Sequence, residues 1–162
     1  MLRPRRREIH AVSAPYQQEF EVRWADLDPN GHMRHTAYMD CAAQARVGFL
    51  NADGFTLERF RALGIGPVLF REEAQYLHEV RANEYLRVTT EIAGLSPNRK
   101  HWRIRHRIFK ADGELACVVN VQGAWLDLKA RKIVPPPAEL MQVMEKVPRT
   151  QDFAEFEPRK PA

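Results

Sequence analysis

A run of small and apolar residues at helical spacing constrains the fold of this chain more than any other feature. These residues recur every three or four positions between 38 and 52, so they form one face of an α-helix. The face consists of Tyr38, Cys41, Ala42, Ala45, Phe49 and Ala52. Because most of its members are small, the helix axis can lie close to the surface on which it packs. We therefore predict one long central helix that ends near Ala52, with Gly54 as its C-cap.

The segment that precedes this helix concentrates side chains capable of chemistry. It contains two carboxylates and two imidazoles, those of Asp26, Asp28, His32 and His35. Between them, Pro29-Asn30-Gly31 is typical of a turn, and Thr36 stands where a helix N-cap is expected. A helix start presents free backbone N–H groups and a partial positive charge. Asp28 is therefore predicted to lie beside a site that can hold a developing oxyanion, although its spacing fits a simple turn residue equally well.

The two-residue alternation of β-strands dominates the rest of the chain. Strands are predicted at 18–24, 68–80, 85–95, 100–110 and 115–128, and short helices at 55–63 and 138–145. Turn signals such as Asp112-Gly113 join the last four strands, which indicates an antiparallel meander. The predicted fold class is α+β, with an antiparallel five-stranded curved sheet wrapped around one long central helix. Because one helix cannot cover five strands, we expect two copies to pair through exposed sheet edges or surface.

Length and composition fit a single domain. Of the 162 residues, we predict a loose basic leader at 1–17, the domain at 18–147 and a loose C-terminal tail at 148–162. The formal charge of +4 comes mostly from four arginines among the first eight residues, so nucleic acid is not the expected partner. No apolar run approaches the ~18 residues that cross a bilayer, and Cys41 and Cys117 read as reduced thiols. We therefore predict a cytoplasmic protein with no membrane partner.

Other chemical motifs are scarce. The only serines are Ser13 and Ser96, in the leader and a turn, and the chain has no P-loop or dinucleotide glycine motif. His32 and His35, with Asp26 or Asp28, could ligate a metal, but no second ligand cluster accompanies them. We predict neither a metal nor a cofactor.

Two stretches carry a resemblance to a known family. R-W-A-D-L-D-P-N-G-H-M-R-H-T-A-Y, which begins at Arg23, resembles the opening motif of the hotdog-fold thioesterases. D-L-K-A-R-K-I-V-P at 127–135 resembles their closing strand end, and the order of elements is similar over roughly residues 18–147. Within this fold the chain looks like the 4-hydroxybenzoyl-CoA thioesterase and YbgC/FadM-type acyl-CoA thioesterase group. The resemblance implies a homodimeric or homotetrameric enzyme that hydrolyses acyl-CoA thioesters.

The resemblance also implies roles for individual residues. Asp28 matches the catalytic carboxylate, as general base or nucleophile, and His35 matches the helix-start position whose backbone N–H contacts the thioester oxygen. The residues expected to contact the substrate are Trp24, Gly31, His32 and Tyr38. On spacing alone, however, His32 is a turn or packing residue. Asp26 is predicted to order the turn, and Arg46 to pair with an acid of the helix or of a neighbouring chain.

Several alternatives stay open. Trp24 and Ala37 replace an aromatic hydroxyl and an asparagine that are usual in the family, so the fold could bind acyl-CoA without turnover. It could also act on thioesters of acyl carrier protein, or bind nucleic acid through its basic leader. One strand carries a basic stripe, which is either a solvated face or a site for CoA phosphates. The stripe consists of Arg99, Lys100, Arg103, Arg105 and Arg107.

Overall fold

A long helix packed on the inner face of a curved sheet organises the fold. The computed structural model describes residues 16–158, so the predicted leader lies almost entirely outside the described residues. Its helices are α1 (His35–Ala52), α2 (Leu57–Leu63) and α3 (Ala138–Lys146). Its strands are β1 (Gln17–Glu21), β2 (Ile65–Tyr76), β3 (Tyr85–Leu95), β4 (His101–Lys110), β5 (Leu115–Asp127), β6 (Lys132–Ile133) and β7 (Arg149–Glu155). The predicted α+β hotdog fold, with a curved antiparallel sheet around one long helix, is confirmed.

The strand order corrects the predicted meander. The order is β1-β3-β4-β5-β2, so only β3, β4 and β5 follow one another as neighbours. The strand β2 pairs with β5 at the far side of the sheet, whereas β1 pairs with β3. The connection at 77–84 therefore crosses from one side of the sheet to the other and is not a tight turn. The pairing of β2 with β5 shifts its register between Leu69 and Arg71.

The chain's end corrects the predicted loose tail, because β7 forms within it. This strand runs parallel to the end of β3 and continues the sheet edge that β1 begins. Its acids reach over the sheet to the basic stripe: Asp152 accepts two hydrogen bonds from Arg105, at 2.8 and 3.0 Å. Glu155 accepts one from Arg99 at 2.8 Å. Arg107 pairs with Glu91 of β3, so three of the five stripe residues are paired within the chain. This pairing favours neither the solvated face nor the site for CoA phosphates.

The small-residue face of α1 is buried as predicted over most of its length. Ala42 and Ala45 lie in the core with Phe49, whereas Ala52 is exposed at the helix end. Gly54 follows the capping residue Asp53 with a φ of +83°, a conformation that favours glycine.

The start of α1 differs from the prediction. The N-cap is Arg34, and the helix begins at His35, one residue before the predicted cap Thr36. The side chain of this N-cap accepts no backbone N–H of the helix, because arginine only donates; its guanidinium donates to the side chains of Thr36 and, at 3.1 Å, Asp40. Its backbone N–H instead donates to the carbonyl oxygen of Asp26 at 2.8 Å, which ties the helix start to the preceding turn.

The alternating pattern of β4 correctly predicts its buried face. Trp102, Ile104, His106 and Ile108 are all buried. Both cysteines are free thiols as predicted, and burial raises the pKa of the Cys117 thiol to about 12. None of the helices within residues 16–158 is both long enough and apolar enough to cross a membrane.

Candidate active site

A miniature hairpin presents Asp28. Leu27 and Met33 form an antiparallel bridge, and the N–H of Asp28 donates to the carbonyl of His32 at 2.8 Å. At the tip, the N–H of Gly31 donates to the carbonyl of Asp28 at 3.0 Å. Gly31 has a φ of +78°, a conformation that residues with a Cβ rarely adopt. The predicted turn chemistry of residues 29–31 is therefore what closes this hairpin.

The Asp28 carboxylate is held by one oxygen. Its Oδ1 accepts the backbone N–H of Asn30 at 2.8 Å and that of His32 at 3.2 Å. Within residues 16–158, no hydrogen-bond donor reaches Oδ2. The carboxylate is thus oriented by the main chain while one oxygen stays available to a water molecule or a substrate.

Asp26 orders the turn, in agreement with its predicted role. Its Oδ2 accepts the backbone N–H of Arg23 at 3.0 Å and the Nε–H of the same residue at 2.9 Å, while Oδ1 accepts from Nη2 at 2.8 Å. These hydrogen bonds lower the pKa of the Asp26 carboxyl below its ordinary value. The carboxylate of Asp26 is therefore occupied, which leaves Asp28 as the reactive candidate of the pair.

The start of α1 supplies unpaired donors. Within the described part of the chain, the backbone N–H groups of His35 and Thr36 have no acceptor, as is usual for the first turn of a helix. The carbonyl oxygen of His35 accepts the hydroxyl of Tyr76 at 3.2 Å. The end of β2 therefore fixes the first helical residue in place.

A cavity of about 320 Å³ brings these groups together. It is lined by Asp28, His32, Met33, His35, Tyr38, Tyr76, Leu77, His78 and Glu79. Tyr38 is buried with its ring edge-on to Tyr76, at 5.4 Å between centroids. Burial raises the pKa of Tyr38 to about 12, so its hydroxyl remains protonated near neutral pH.

Two of the predicted substrate contacts lie elsewhere in this chain. Trp24 does not line the cavity, and its side chain is 87% exposed in a single turn of 3₁₀ helix. Gly31 shapes the hairpin but does not line the cavity. By contrast, His32 and Tyr38 lie in the cavity wall together with Asp28 and His35.

Sequence reasoning missed the contribution from the end of β2 and the connection that follows it. Tyr76, His78 and Glu79 line the cavity, and the Oε2 of Glu79 lies 3.1 Å from the Nε2 of His32. The clustering of aromatic, imidazole and carboxylate groups at 76–79 was a local signal. Only the strand order, however, places it beside the hairpin that carries Asp28.

The metal alternative finds no support in the described residues. Among residues 16–158, no group of three or more His, Cys, Asp or Glu side chains converges on one point. His32 is paired with Glu79, and Asp26 is occupied by Arg23.

Comparisons with known proteins agree with this architecture. Residues 22–144 match the sequence profile of the thioesterase-like superfamily. A comparison with curated protein sequences finds no match.

Three solved structures illustrate the similarity in fold. A 1,4-dihydroxy-2-naphthoyl-CoA thioesterase from Synechocystis gives a TM-score of 0.74 at 16% identity, covering 81% of this chain and 96% of that one. A DHNA-CoA thioesterase from Staphylococcus aureus gives 0.73 at 21% identity, covering 81% and 89%. A further Staphylococcus aureus protein, in complex with CoA, gives 0.74 at 18% identity, covering 90% and 95%. The profile match spans most of the chain. The chain therefore belongs to the thioesterase-like superfamily and is a hotdog-fold thioester hydrolase.

Proposed function

We propose that this chain is a cytoplasmic acyl-CoA thioesterase that hydrolyses an acyl-CoA thioester to the free acid and CoA. In this proposal Asp28 acts as general base or nucleophile, and the start of α1 near His35 polarises the thioester carbonyl. The observation that carries the proposal is that both residues line one cavity. No hydrogen-bond donor within residues 16–158 reaches the Oδ2 of Asp28 in this cavity.

The reaction needs few groups because its leaving group is good. A thiol has a pKa of about 8.5, so the thiolate departs without strong acid catalysis. With Asp28 as base, its carboxylate removes a proton from water while the water oxygen attacks the carbonyl carbon. The tetrahedral intermediate then collapses, the C–S bond breaks, and the sulfur leaves as thiolate. With Asp28 as nucleophile, an acyl anhydride forms first and water cleaves it.

The oxyanion of the intermediate would bind at the start of α1. The N–H groups of His35 and Thr36 are oriented donors, and the helix dipole adds a partial positive charge. The loss of one such donor typically raises a barrier by about 3–4 kcal/mol.

Coenzyme A as the carrier is supported by similar proteins. Two of the three similar structures are of CoA thioesterases, and the third holds CoA. We propose coenzyme A as the carrier for this chain as well, because the chain shares the fold and has the cavity. The proposed reaction uses no metal and no cofactor, and the proposed partners include no nucleic acid and no membrane.

A homodimer or homotetramer is supported by the open side of the sheet. The strand β2 pairs only with β5, so its other edge has no partner strand within residues 16–158. Large apolar side chains along this strand and just beyond it are exposed, namely Leu69, Phe70, Tyr76 and Leu77. A second copy would cover this surface, which includes part of the cavity wall.

The proposal is tested by following thiol release from a panel of acyl-CoAs with wild type and Asp28→Asn. Asparagine keeps the Oδ1 acceptor of the turn but cannot act as base or nucleophile. We expect a loss of activity of about 100-fold or more. The matched control is Asp112→Asn, because Asp112 also shapes an exposed turn, by accepting the N–H of Glu114 at 2.9 Å, but does not line the cavity. Equal rates for wild type and Asp28→Asn would remove Asp28 from the mechanism.

The same assay separates the alternatives. Faster hydrolysis of a matched acyl group on acyl carrier protein than on CoA would favour the carrier-protein thioesterase. Acyl-CoA binding without any thiol release would favour a binding module.

A further inference from the structure

We propose that Glu79 is a positioning residue for Asp28, acting through His32. This inference rests on the proposed function, because it assigns Glu79 a role only if the Asp28 carboxylate takes part in the reaction. Glu79 belongs to the connection between β2 and β3 and is distant in sequence from the hairpin at 27–33.

The first step is that both oxygens of the Glu79 carboxylate are held. Its Oε1 accepts a hydrogen bond from the Nη2 of Arg81 at 2.8 Å, and its Oε2 lies 3.1 Å from the Nε2 of His32. The hydrogen bond from Arg81 lowers the pKa of the Glu79 carboxyl, so the group is ionised near neutral pH. The two groups meet as an ion-pair contact, and an ionised carboxylate favours the form of the imidazole that carries a proton on the facing Nε2.

The second step is that His32 holds Asp28 by its main chain. The N–H of His32 donates to the Oδ1 of Asp28 at 3.2 Å, and its carbonyl accepts the N–H of Asp28 at 2.8 Å. One residue therefore joins Glu79, through its imidazole, to both the carboxylate and the backbone of Asp28.

The third step is that the two segments already lie side by side. His32 and Arg81 form an antiparallel bridge, and the N–H of Met33 donates to the carbonyl of Val80 at 2.7 Å. Backbone contacts thus keep the hairpin attached without Glu79. The Glu79–His32 contact instead fixes the imidazole within the cavity and limits rotation of the hairpin about those backbone bonds.

This arrangement predicts an effect on rate that is much larger than the effect on stability. Both side chains are partly exposed, and an ion pair of that kind contributes little to the free energy of unfolding. Catalysis is more sensitive, because a small misplacement of the reacting group can cost orders of magnitude in rate.

The test compares Glu79→Ala and Glu79→Gln with wild type in acyl-CoA hydrolysis. We expect Glu79→Ala to lower kcat about 10-fold, to change KM less than twofold and to leave the urea midpoint unchanged. Glutamine retains an oxygen acceptor for the imidazole, so Glu79→Gln should recover most of the lost kcat. The matched control is Glu139→Ala, which removes an exposed carboxylate of α3 paired with Arg59. Its kcat should equal that of wild type.

A double-mutant cycle with Asp28→Asn decides whether Glu79 acts through Asp28. If it does, adding Glu79→Ala to Asp28→Asn lowers kcat no further. The inference is overturned if Glu79→Ala matches wild type, if Glu79→Gln is as slow as Glu79→Ala, or if the two losses multiply. A silent Asp28→Asn would defeat the proposed function itself. If Asp28→Asn is inactive but Glu79→Ala keeps full activity, this inference is wrong and the proposed function stands.

Discussion

The guanidinium of Arg46 on α1 lies against the imidazole of His106 on β4, with 3.2 Å between Nη1 and Nε2. His106 is fully buried, and its Nδ1 lies 3.2 Å from the carbonyl oxygen of Thr89. Arginine only donates, so Nε2 must accept and Nδ1 must carry the proton. Burial and the charge of Arg46 lower the pKa of His106 to about 3. Arg46 was predicted to pair with an acid of the helix or of a neighbouring chain, but it pairs with Glu72 of β2 in the same chain, at 3.3 Å.

This buried histidine should make the fold acid-sensitive. In the unfolded chain its pKa is about 6.5, so below that pH the unfolded state binds a proton that the folded state does not. The contribution to stability is therefore complete above pH 6.5 and is lost as the pH falls towards 3. The expected slope from this one group is about 1.4 kcal/mol per pH unit in the free energy of unfolding.

Urea unfolding between pH 7 and pH 4 checks this slope. His106→Gln should show a shallower fall in stability over that range than wild type, whatever its stability at pH 7. His78→Gln, at an exposed histidine, is the control and should keep the wild-type slope. Parallel curves for wild type and His106→Gln would contradict the prediction.

A second prediction concerns Gly123, where β5 lies close to β2 and to the ring of Trp102. A Cβ at Gly123 would collide with the carbonyl oxygen of Val68 and would lie 2.5 Å from the ring of Trp102. Neither neighbour can move freely, so Gly123→Ala should lower the free energy of unfolding by about 1–3 kcal/mol. At Gly48 the nearest atom, at 2.7 Å, is the side-chain end of Gln18, which can rotate away.

Thermal unfolding separates these two substitutions. Gly48→Ala should be neutral or stabilising by up to about 1 kcal/mol, because alanine favours a helix interior over glycine. If Gly123→Ala is as stable as wild type, the prediction is wrong, because the neighbouring strands can then move apart without lowering the free energy of unfolding.

A third prediction tests pairing through β2. Leu69 is 44% exposed on this strand, and a charge there should oppose association of two copies. Wild type should sediment as a dimer or tetramer of 18.8 kDa chains, whereas Leu69→Lys should shift towards monomer at micromolar concentration. Leu57→Lys, at a residue on α2 that is 65% exposed, is the control and should sediment as wild type does. A wild type that sediments as a monomer at every concentration would disprove the pairing.

Local patterns in the sequence were enough to predict most elements, but not which strands become neighbours. The alternation that buries Trp102 and His106 is a property of ten consecutive residues, so β4 could be read directly. The pairing of β2 with β5 depends on the path of the connection at 77–84, which no local period encodes. The strand β7 was missed because its exposed residues are mostly polar and only Thr150 is buried.

The residues of the candidate site likewise fall into two groups: those that the sequence predicts and those that only the order of the strands reveals. The turn chemistry and the family resemblance located Asp28 and His35, whose catalytic roles stay predictions. Tyr76 and Glu79 could not be found from the sequence because they reach the cavity only through the order of the strands. Trp24 was expected at the substrate, and its side chain instead faces solvent in the single chain.

The strands β1 and β7 share the outer edge of β3. This arrangement limits the size of an oligomer built by pairing strands of different copies. A sheet with two open margins can add copies without end, as fibrils do. Within residues 16–158 the margin at β2 is one strand of 12 residues, whereas the opposite margin is divided between two shorter strands, β1 and β7, so joining two copies along β2 uses up the long margin of both. Association along β2 is then self-terminating, and any larger closed oligomer must use a surface other than this edge.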